Sequence, residues 1–463
     1  MPRLRTAAVP TAARRAAVEA LLPVHLGPGK GVRPETAREL PPSLHFARGI
    51  RAGRWVFATG QLATDYARGG IADEVLRVDA PLSGRPKQQR EAMRVFDQLE
   101  QVLASGGTTL AQVVRSDQYF TTWHAVNHYH SERIRRFDPL VPPTTSILMP
   151  RLLLPDADLT GEYLALTPAF GAPIEPVYPS GLHVPSTSGF APVVRAGDFV
   201  FIAGFMAAHQ PGDLGGIAPE AKVPDGHLWK GSRIKLEADY ALKEKIAVAL
   251  DGAGATLDTL VKAQVYLRDM SDLPAFNEVW YRWFPKVRPA VSYIPTSTPG
   301  FAIADARLEI NALALTVAGT TRRRTIDGGF HTGIDGQPAA VLAGDLLLCS
   351  ALLAADGDGA LEGCVADPRQ PYFGSTAQAQ IDHIVDRAQR LCDAAGTVLE
   401  NMTRLQLFVT DLSEVGAACR ALARRLPGLA LPLSVVEVPA PLPVPACTIM
   451  ADLWVYVPCA DPA

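Results

Sequence analysis

No stretch of 18 or more apolar residues occurs in this chain, which excludes an ordinary transmembrane helix. Positive charge is not in excess either. Lys and Arg number 44 against 47 Asp and Glu, a formal net charge of −3 with pI about 6.4, so no overall field draws phosphate backbones or anionic lipid. The expectation is no nucleic-acid partner and no membrane. Cysteine is scarce: Cys349, Cys364, Cys392, Cys419, Cys447 and Cys459 all fall in the last third and show no CxxC spacing. They read as free, buried or half-buried thiols, with Cys447 a core residue. HExxH is missing, and His124, His128 and His130 in TTWHAVNHYH have no paired acidic ligand, so no metal and no cofactor is expected and these histidines read as surface or capping residues. The Arg- and Ala-rich N-terminus lacks a compact apolar stretch followed by a small-residue cleavage site and reads as a short arm on a cytoplasmic protein.

What is present is a repeat. A length of 463 residues at about 150 per domain leads to an expectation of roughly three units. Three segments open alike, GIRAGRWVFATGQLATD around Gly53, VVRAGDFVFIAGFMAAH around Gly197 and AVLAGDLLLCSALLAAD around Gly344, spaced 144 and 147 residues apart. Each is apolar on both sides of an Ala-Gly turn, the pattern of two strands joined by a tight hairpin. An amphipathic helix follows in each. Its stripe is Met93, Phe96, Leu99 and Leu103 in the first copy, Leu242, Ile246 and Leu250 in the second, and Ile381, Ile384, Ala388 and Leu391 in the third.

All three helices run into a glycine-bearing stop, ASGGTTL, DGAGATL and DAAGTVL. A strand comes next (SDQYFTTW, AQVYLRDM, LQLFVTDL), then a second helix, clearest as Leu273, Phe276, Trp280 and Phe284, then two closing strands. The order ββ, α, β, α, ββ predicts an α+β layer, a mixed sheet with both helices on one face. The predicted organisation is an N-terminal arm over 1–44 and units over 45–170, 188–318 and 332–458, with Pro/Gly/Ser/Thr-rich linkers between copies, the second bearing GTTRRRT.

These landmarks together (the R-A-G hairpin, the S/T-G-Q turn, the helix ending AG-x-x-L, V-x-V-x-L-x-D-M, and R-x-x-V before L-E-I) resemble the RidA/YjgF family of enamine and imine deaminases. The resemblance covers nearly the whole chain outside arm and linkers. It implies three curled, chorismate-mutase-like units arranged as a single-chain pseudo-trimer, monomeric or further oligomerised, with ligand clefts between units. The family's carboxylate-binding arginine matches only Arg288, against Pro143 or Thr144 in the first copy and Pro432 or Leu433 in the third. The family's glutamate, which positions or activates water, matches only Glu309, against Thr160 and Met450. Asn277 matches a cleft-lining position, and Phe190 stands where the family has tyrosine. Thr59 with Gln61, or Ser350, is the turn that Arg288 and Glu309 are expected to face.

Such residues suit a small, carboxylate-bearing imine, enamine or related C–N substrate. Arginine offers a planar fork of donors to a carboxylate, and a carboxyl in a partly apolar cleft can move one proton. Arg288 and Glu309 are therefore the expected catalytic pair, with hydrolysis or deamination as the reaction. Ala290 and Ser292 share a strand face with Arg288 and join the expected cleft, while Tyr293 points into packing. Two other readings are carried alongside. One is a chorismatase- or cyclic-amide-hydrolase-like lyase, hydrolase or cyclase of specialised metabolism. The other is a non-catalytic small-molecule-binding or chaperone-like protein.

Overall fold

In the computed structural model, residues 17–25, 45–209, 215–227, 232–367, 369 and 376–458 are described. Three segments fold to one connectivity. In the first, strands β1 (Val18–His25), β2 (His45–Ala52), β3 (Trp55–Gln61), β4 (Val113–Phe120), β5 (Thr144–Leu148) and β6 (Leu159–Leu166) form a sheet ordered β1-β2-β3-β6-β4-β5. In the second, β7 (Ile174–Val177), β8 (Val193–Ala196), β9 (Phe199–Phe205), β10 (Ala255–Leu267), β11 (Ala290–Pro295) and β12 (Leu308–Thr316) are ordered β7-β8-β9-β12-β10-β11. In the third, β13 (Arg323–Ile326), β14 (Ala340–Ala343), β15 (Leu346–Cys349), β16 (Met402–Val409), β17 (Leu433–Glu437) and β18 (Ile449–Tyr456) repeat that order. Along these orders β4 with β5, β10 with β11 and β16 with β17 pair in parallel and the other neighbours antiparallel, so each sheet is mixed and the class is α+β.

The supposed arm and linkers are part of this pattern. β1, β7 and β13 each add a leading edge strand. The Arg-rich turn GTTRRRT runs into β13, where Arg323 Nε donates to Leu260 O. The short length of β7 and β13 hid them, because a four-residue edge strand has almost no period to read; β1 has eight residues, VEALLPVH, but a proline interrupts its alternation. The parts of the arm over 1–16 and 26–44 lie outside the described residues.

One helix stripe per unit packs as its spacing requires. Phe96, Leu99 and Leu103 of the helix Lys87–Ser105 are fully buried against the first sheet, and Met93 sits half-buried at its border. In the second unit Leu242, Ile246 and Leu250 recur every fourth residue, more slowly than 3.6. The helix follows by widening into a π-turn over Ala241–Ile246 between Ser232–Tyr240 and Ala247–Gly252. Gly107, Gly254 and Gly396 leave the helices with φ of 76°, 73° and 85°, the conformation expected of those stops.

A buried polar chain links the three sheets. Register makes Arg115, Lys262 and Arg404 equivalent, since they oppose Leu164, Leu313 and Trp454. Arg115 Nη2 donates to Asn311 Oδ1 of the second unit at 2.8 Å. Lys262 Nζ pairs with Asp452 Oδ1 of the third at 3.2 Å, and Arg404 Nε lies 3.8 Å from Glu162 Oε2 of the first. Asn311, Asp452 and Glu162 are themselves equivalent, so each unit reaches the next through the same position. Beside this chain the Tyr119 and Tyr266 hydroxyls meet at 2.9 Å.

Cys349, Cys364, Cys392 and Cys447 are buried and Cys419 half-buried, all as free thiols, while Cys459 lies outside the described residues. Among the described residues no helix is long and apolar enough to cross a membrane, and no cluster of three or more His, Cys, Asp or Glu is placed to hold a metal.

Candidate active site

The sheet registers fix which residues correspond. Tyr119, Tyr266 and Phe408 oppose Thr160, Glu309 and Met450, so those three hold one position. For Arg288 the correspondence differs from the sequence reading. Ser116 pairs with Thr144, Lys262 with Ala290 and Leu405 with Leu433, which places Pro143 and Pro432 opposite Ala290 rather than Arg288. Two residues earlier, Val141 and Ala430 are the counterparts of Arg288. Adjacent prolines in the first copy and the sequence LPL in the third offered no period by which to align them.

Arg288 and Glu309 face different neighbours. Arg288 lies at the second unit's border with the third: Nε donates to Phe284 O at 3.1 Å, Nη1 donates to Gly336 O at 2.7 Å, and its guanidinium covers the Tyr281 ring. Glu309 points the opposite way, toward the first unit, and lines a cavity of about 450 Å3 between β5 and β9. The expected pairing of the two in one cleft is therefore not what the fold builds. Arg288, just before the edge strand β11, and Glu309, on the interior strand β12, serve two neighbours, and the sequence carries no sign of which.

Other expected residues are spent elsewhere. Ser292 is fully buried and accepts from Lys262 Nζ at 2.8 Å, and Ala290 is fully buried among apolar residues. Asn277 Oδ1 accepts from the Tyr293 hydroxyl at 2.8 Å. Ser350 Oγ accepts from Val291 N at 3.0 Å and donates to Pro338 O, closing the border between second and third units. Gln61 Nε2 donates to the backbone oxygens of Arg48 and Thr59. Thr59 borders a void of only about 20 Å3, room for about one water. Of the expected cleft residues, Phe190 alone joins Glu309 in its cavity.

Glu309 is 5% exposed and has no hydrogen-bond partner among the described residues. Burial, and next the Asp117 carboxylate, push its carboxyl up to about 8, so at neutral pH it is mostly protonated. Gly204 in β9 makes its place: a Cβ there would stand 2.0 Å from Oε1. Across the cavity β5 presents Thr144 and Ser146, held by one buried amide. Gln118 Nε2 donates to Thr144 Oγ1 at 2.5 Å, and Gln118 Oε1 accepts from Ser146 Oγ at 2.9 Å and from Arg133 Nη1 at 3.2 Å. Because Ser146 donates to Gln118, its contact of 3.3 Å with His130 leaves His130 Nε2 as donor. Burial and the Arg133 charge hold His130 well below its ordinary value, so it is a neutral cavity residue rather than a surface or capping one.

Apolar side chains complete the walls: Trp123 and Val126 from the first unit, Phe190, Phe205, Met206 and Ile303 from the second. Lys245 also reaches the cavity, from the π-turn. Thr144, His130, Arg133 and Lys245 were not legible as site residues, since three belong to the copy lacking both family landmarks and the fourth to a helix read only for its apolar stripe.

A larger surface depression of about 520 Å3 lies among Arg268, Asp269, Thr298, Arg307 and Pro441. Arg307 there is already bound to Asp272 at 2.6 Å. It therefore resembles a solvated rim more than an enclosed site.

The family model described as Endoribonuclease L-PSP matches residues 182–316. A RutC family protein of Pyrococcus horikoshii is 32% identical over 130 residues, which are 27% of this chain and 85% of that protein. The 3-aminoacrylate deaminase RutC of Acinetobacter baylyi is 26% identical over 142 residues, 31% of this chain and 98% of its own length. A solved chorismatase aligns over 74% of this chain and 93% of its own, at 12% identity and a TM-score of 0.45. With a relative above 30% identity matched over most of its length, the chain belongs to the RidA/YjgF family, that of the RutC proteins.

Proposed function

We propose that this protein is an enzyme that hydrolyses a small imine or enamine bearing a carboxylate, in the cavity between its first and second units. The observation that carries this reading is Glu309: a buried, unpartnered carboxyl lining a cavity, with its pKa raised close to the working range of a general acid. In the proposed step Glu309 gives its proton to the imine nitrogen. The carboxylate so formed takes a proton from water as that water's oxygen bonds to the imine carbon. The carbinolamine then expels ammonia and leaves the oxo product, so one water is consumed for each ammonia released. An enamine enters the same route after protonation at carbon. The RutC relative's name states that it deaminates 3-aminoacrylate, chemistry of this class.

In this reading the three units are diverged copies closed as a single-chain counterpart of a trimer. The cyclic set Arg115–Asn311, Lys262–Asp452 and Arg404–Glu162 supports it. One chain in solution is then the complete particle, with one working cleft, because Thr160 and Met450 stand where the other two clefts need a carboxyl. The test is ammonia release from imino acids generated in the assay by oxidation of the corresponding amino acids. Glu309→Gln is expected to lower kcat at least 100-fold with KM little changed. Wild-type turnover in that variant overturns the reading.

A further inference from the structure

Among the described residues the cavity that holds Glu309 has no arginine on its surface, yet it is not short of positive charge. Arg133 lies directly behind the wall, fully buried, and none of its hydrogen-bond partners among the described residues is acidic: Nη1 donates to Gln118 Oε1 and Thr144 Oγ1, and Nη2 to Ser188 O and Oγ. Burial lowers its pKa only to about 10, so the charge persists at neutral pH. An uncompensated buried cation is costly unless something anionic shares its surroundings.

Thr144 relays that charge to the cavity. A hydroxyl has two acceptor sites and one proton to give. Both acceptor sites are taken, by Arg133 Nη1 at 3.1 Å and Gln118 Nε2 at 2.5 Å. Its own proton has no acceptor among the described residues, and Thr144 lines the cavity. The hydroxyl is therefore obliged to donate to whatever enters. Lys245 supplies a second cation from the π-turn; its ammonium has no ion pair or hydrogen bond among the described residues, lies 5.9 Å from the Tyr240 ring, and feels the Glu244 carboxylate, itself paired with Lys243, only at a distance. Turns of this kind often carry functional side chains.

We infer that Thr144 and Lys245, with Arg133 behind them, bind the substrate's carboxylate, in place of an arginine whose register counterpart in the first unit is Val141. This rests on the proposed imine hydrolysis and names its anchor. A space of about 450 Å3 with walls from Trp123, Phe190, Phe205 and Met206 leaves room beyond the carboxylate and imine for a bulky apolar side chain. The substrate class is then a 2-imino acid with an aromatic or branched apolar substituent.

The test uses the full-length chain, the imine formed by oxidising phenylalanine, and phenylpyruvate, its stable oxo acid product, as a calorimetric probe. Lys245→Met is expected to raise KM for the imine and Kd for phenylpyruvate at least tenfold with kcat within threefold. Lys245→Arg should restore both. Thr144→Val should weaken phenylpyruvate similarly, and the smaller imine derived from alanine should show at least tenfold lower kcat/KM. Unchanged KM and Kd in Lys245→Met and Thr144→Val, while Glu309→Gln still abolishes hydrolysis, overturns the anchor and leaves the hydrolase standing. Phenylpyruvate binding that depends on Lys245, with hydrolysis indifferent to Glu309, overturns the Glu309 mechanism and leaves the anion site.

Discussion

Gly204 and Glu309 share one space: the carboxyl oxygen Oε1 occupies the volume in which a side chain at 204 would begin, 2.0 Å from an ideal Cβ. Gly204 is not in the left-handed region, so its backbone tolerates alanine. Gly204→Ala should therefore act by pushing the carboxyl aside. The expected result is a loss of at least tenfold in kcat/KM with a melting temperature within a few degrees of wild type. Full activity in that variant would show that Glu309 need not lie against β9.

Arg288 gives the opposite expectation from the one its sequence match implies. Its guanidinium ties the Phe284 and Gly336 carbonyls across the border of the second and third units. Arg288→Ala should cost about 1 kcal/mol of stability, typical of a partly exposed hydrogen-bonded charge, and leave turnover within threefold. Denaturant unfolding and steady-state kinetics on one preparation separate the two effects.

Lys262 and Asp452 are both fully buried and join units two and three. Burial pulls the Lys262 pKa down, and Asp452 limits the fall; burial likewise pushes Asp452 up, but Lys262 and Arg404 outweigh it and keep it ionised. Removing one partner strands the other, so Lys262→Met should destabilise by about 3–5 kcal/mol. Lys262→Met with Asp452→Leu should recover part of that loss. A double variant no more stable than the single would show that Asp452 is held mainly by Gln264 and Arg404.

The repeat was legible because hairpin, helix stop and strand recur three times, and each recurrence rests on local chemistry: glycine at positive φ, one apolar stripe, alternation. Glu309 and its counterparts Thr160 and Met450 were legible for the same reason, since they lie within a strongly patterned strand. The partition of Arg288 and Glu309 between two clefts was not. It depends on which neighbour each residue meets, a relation between segments distant in the chain, 48 residues for Arg288 and Gly336, that leaves no period in the sequence. Thr144 was hidden differently: its role comes from Arg133 and Gln118 filling its acceptor sites, and a Thr-Thr-Ser run reads only as strand.

The pH dependence of Glu309 tests chemistry and burial together. Its folded-state pKa of about 8 lies above the 4.5 of an ordinary glutamate, so the folded protein binds the proton more tightly than the unfolded chain. Stability from this group is fully present below about 4.5 and is lost as pH rises through 8. Each pH unit between the two values is worth at most about 1.4 kcal/mol. Glu309→Gln, which cannot ionise, should therefore gain on wild type as pH is raised from 5 to 9, whichever is the more stable at the start. Catalysis should report the same group independently. If the protonated carboxyl begins the reaction, kcat/KM falls with an apparent pKa near 8, and the limb vanishes from the residual rate of the Gln variant. A rate that instead climbs through pH 8 would make the carboxylate the starting form and Glu309 a base. A profile flat across pH 8, with the stability difference intact, would leave Glu309 buried and titrating but outside the reaction.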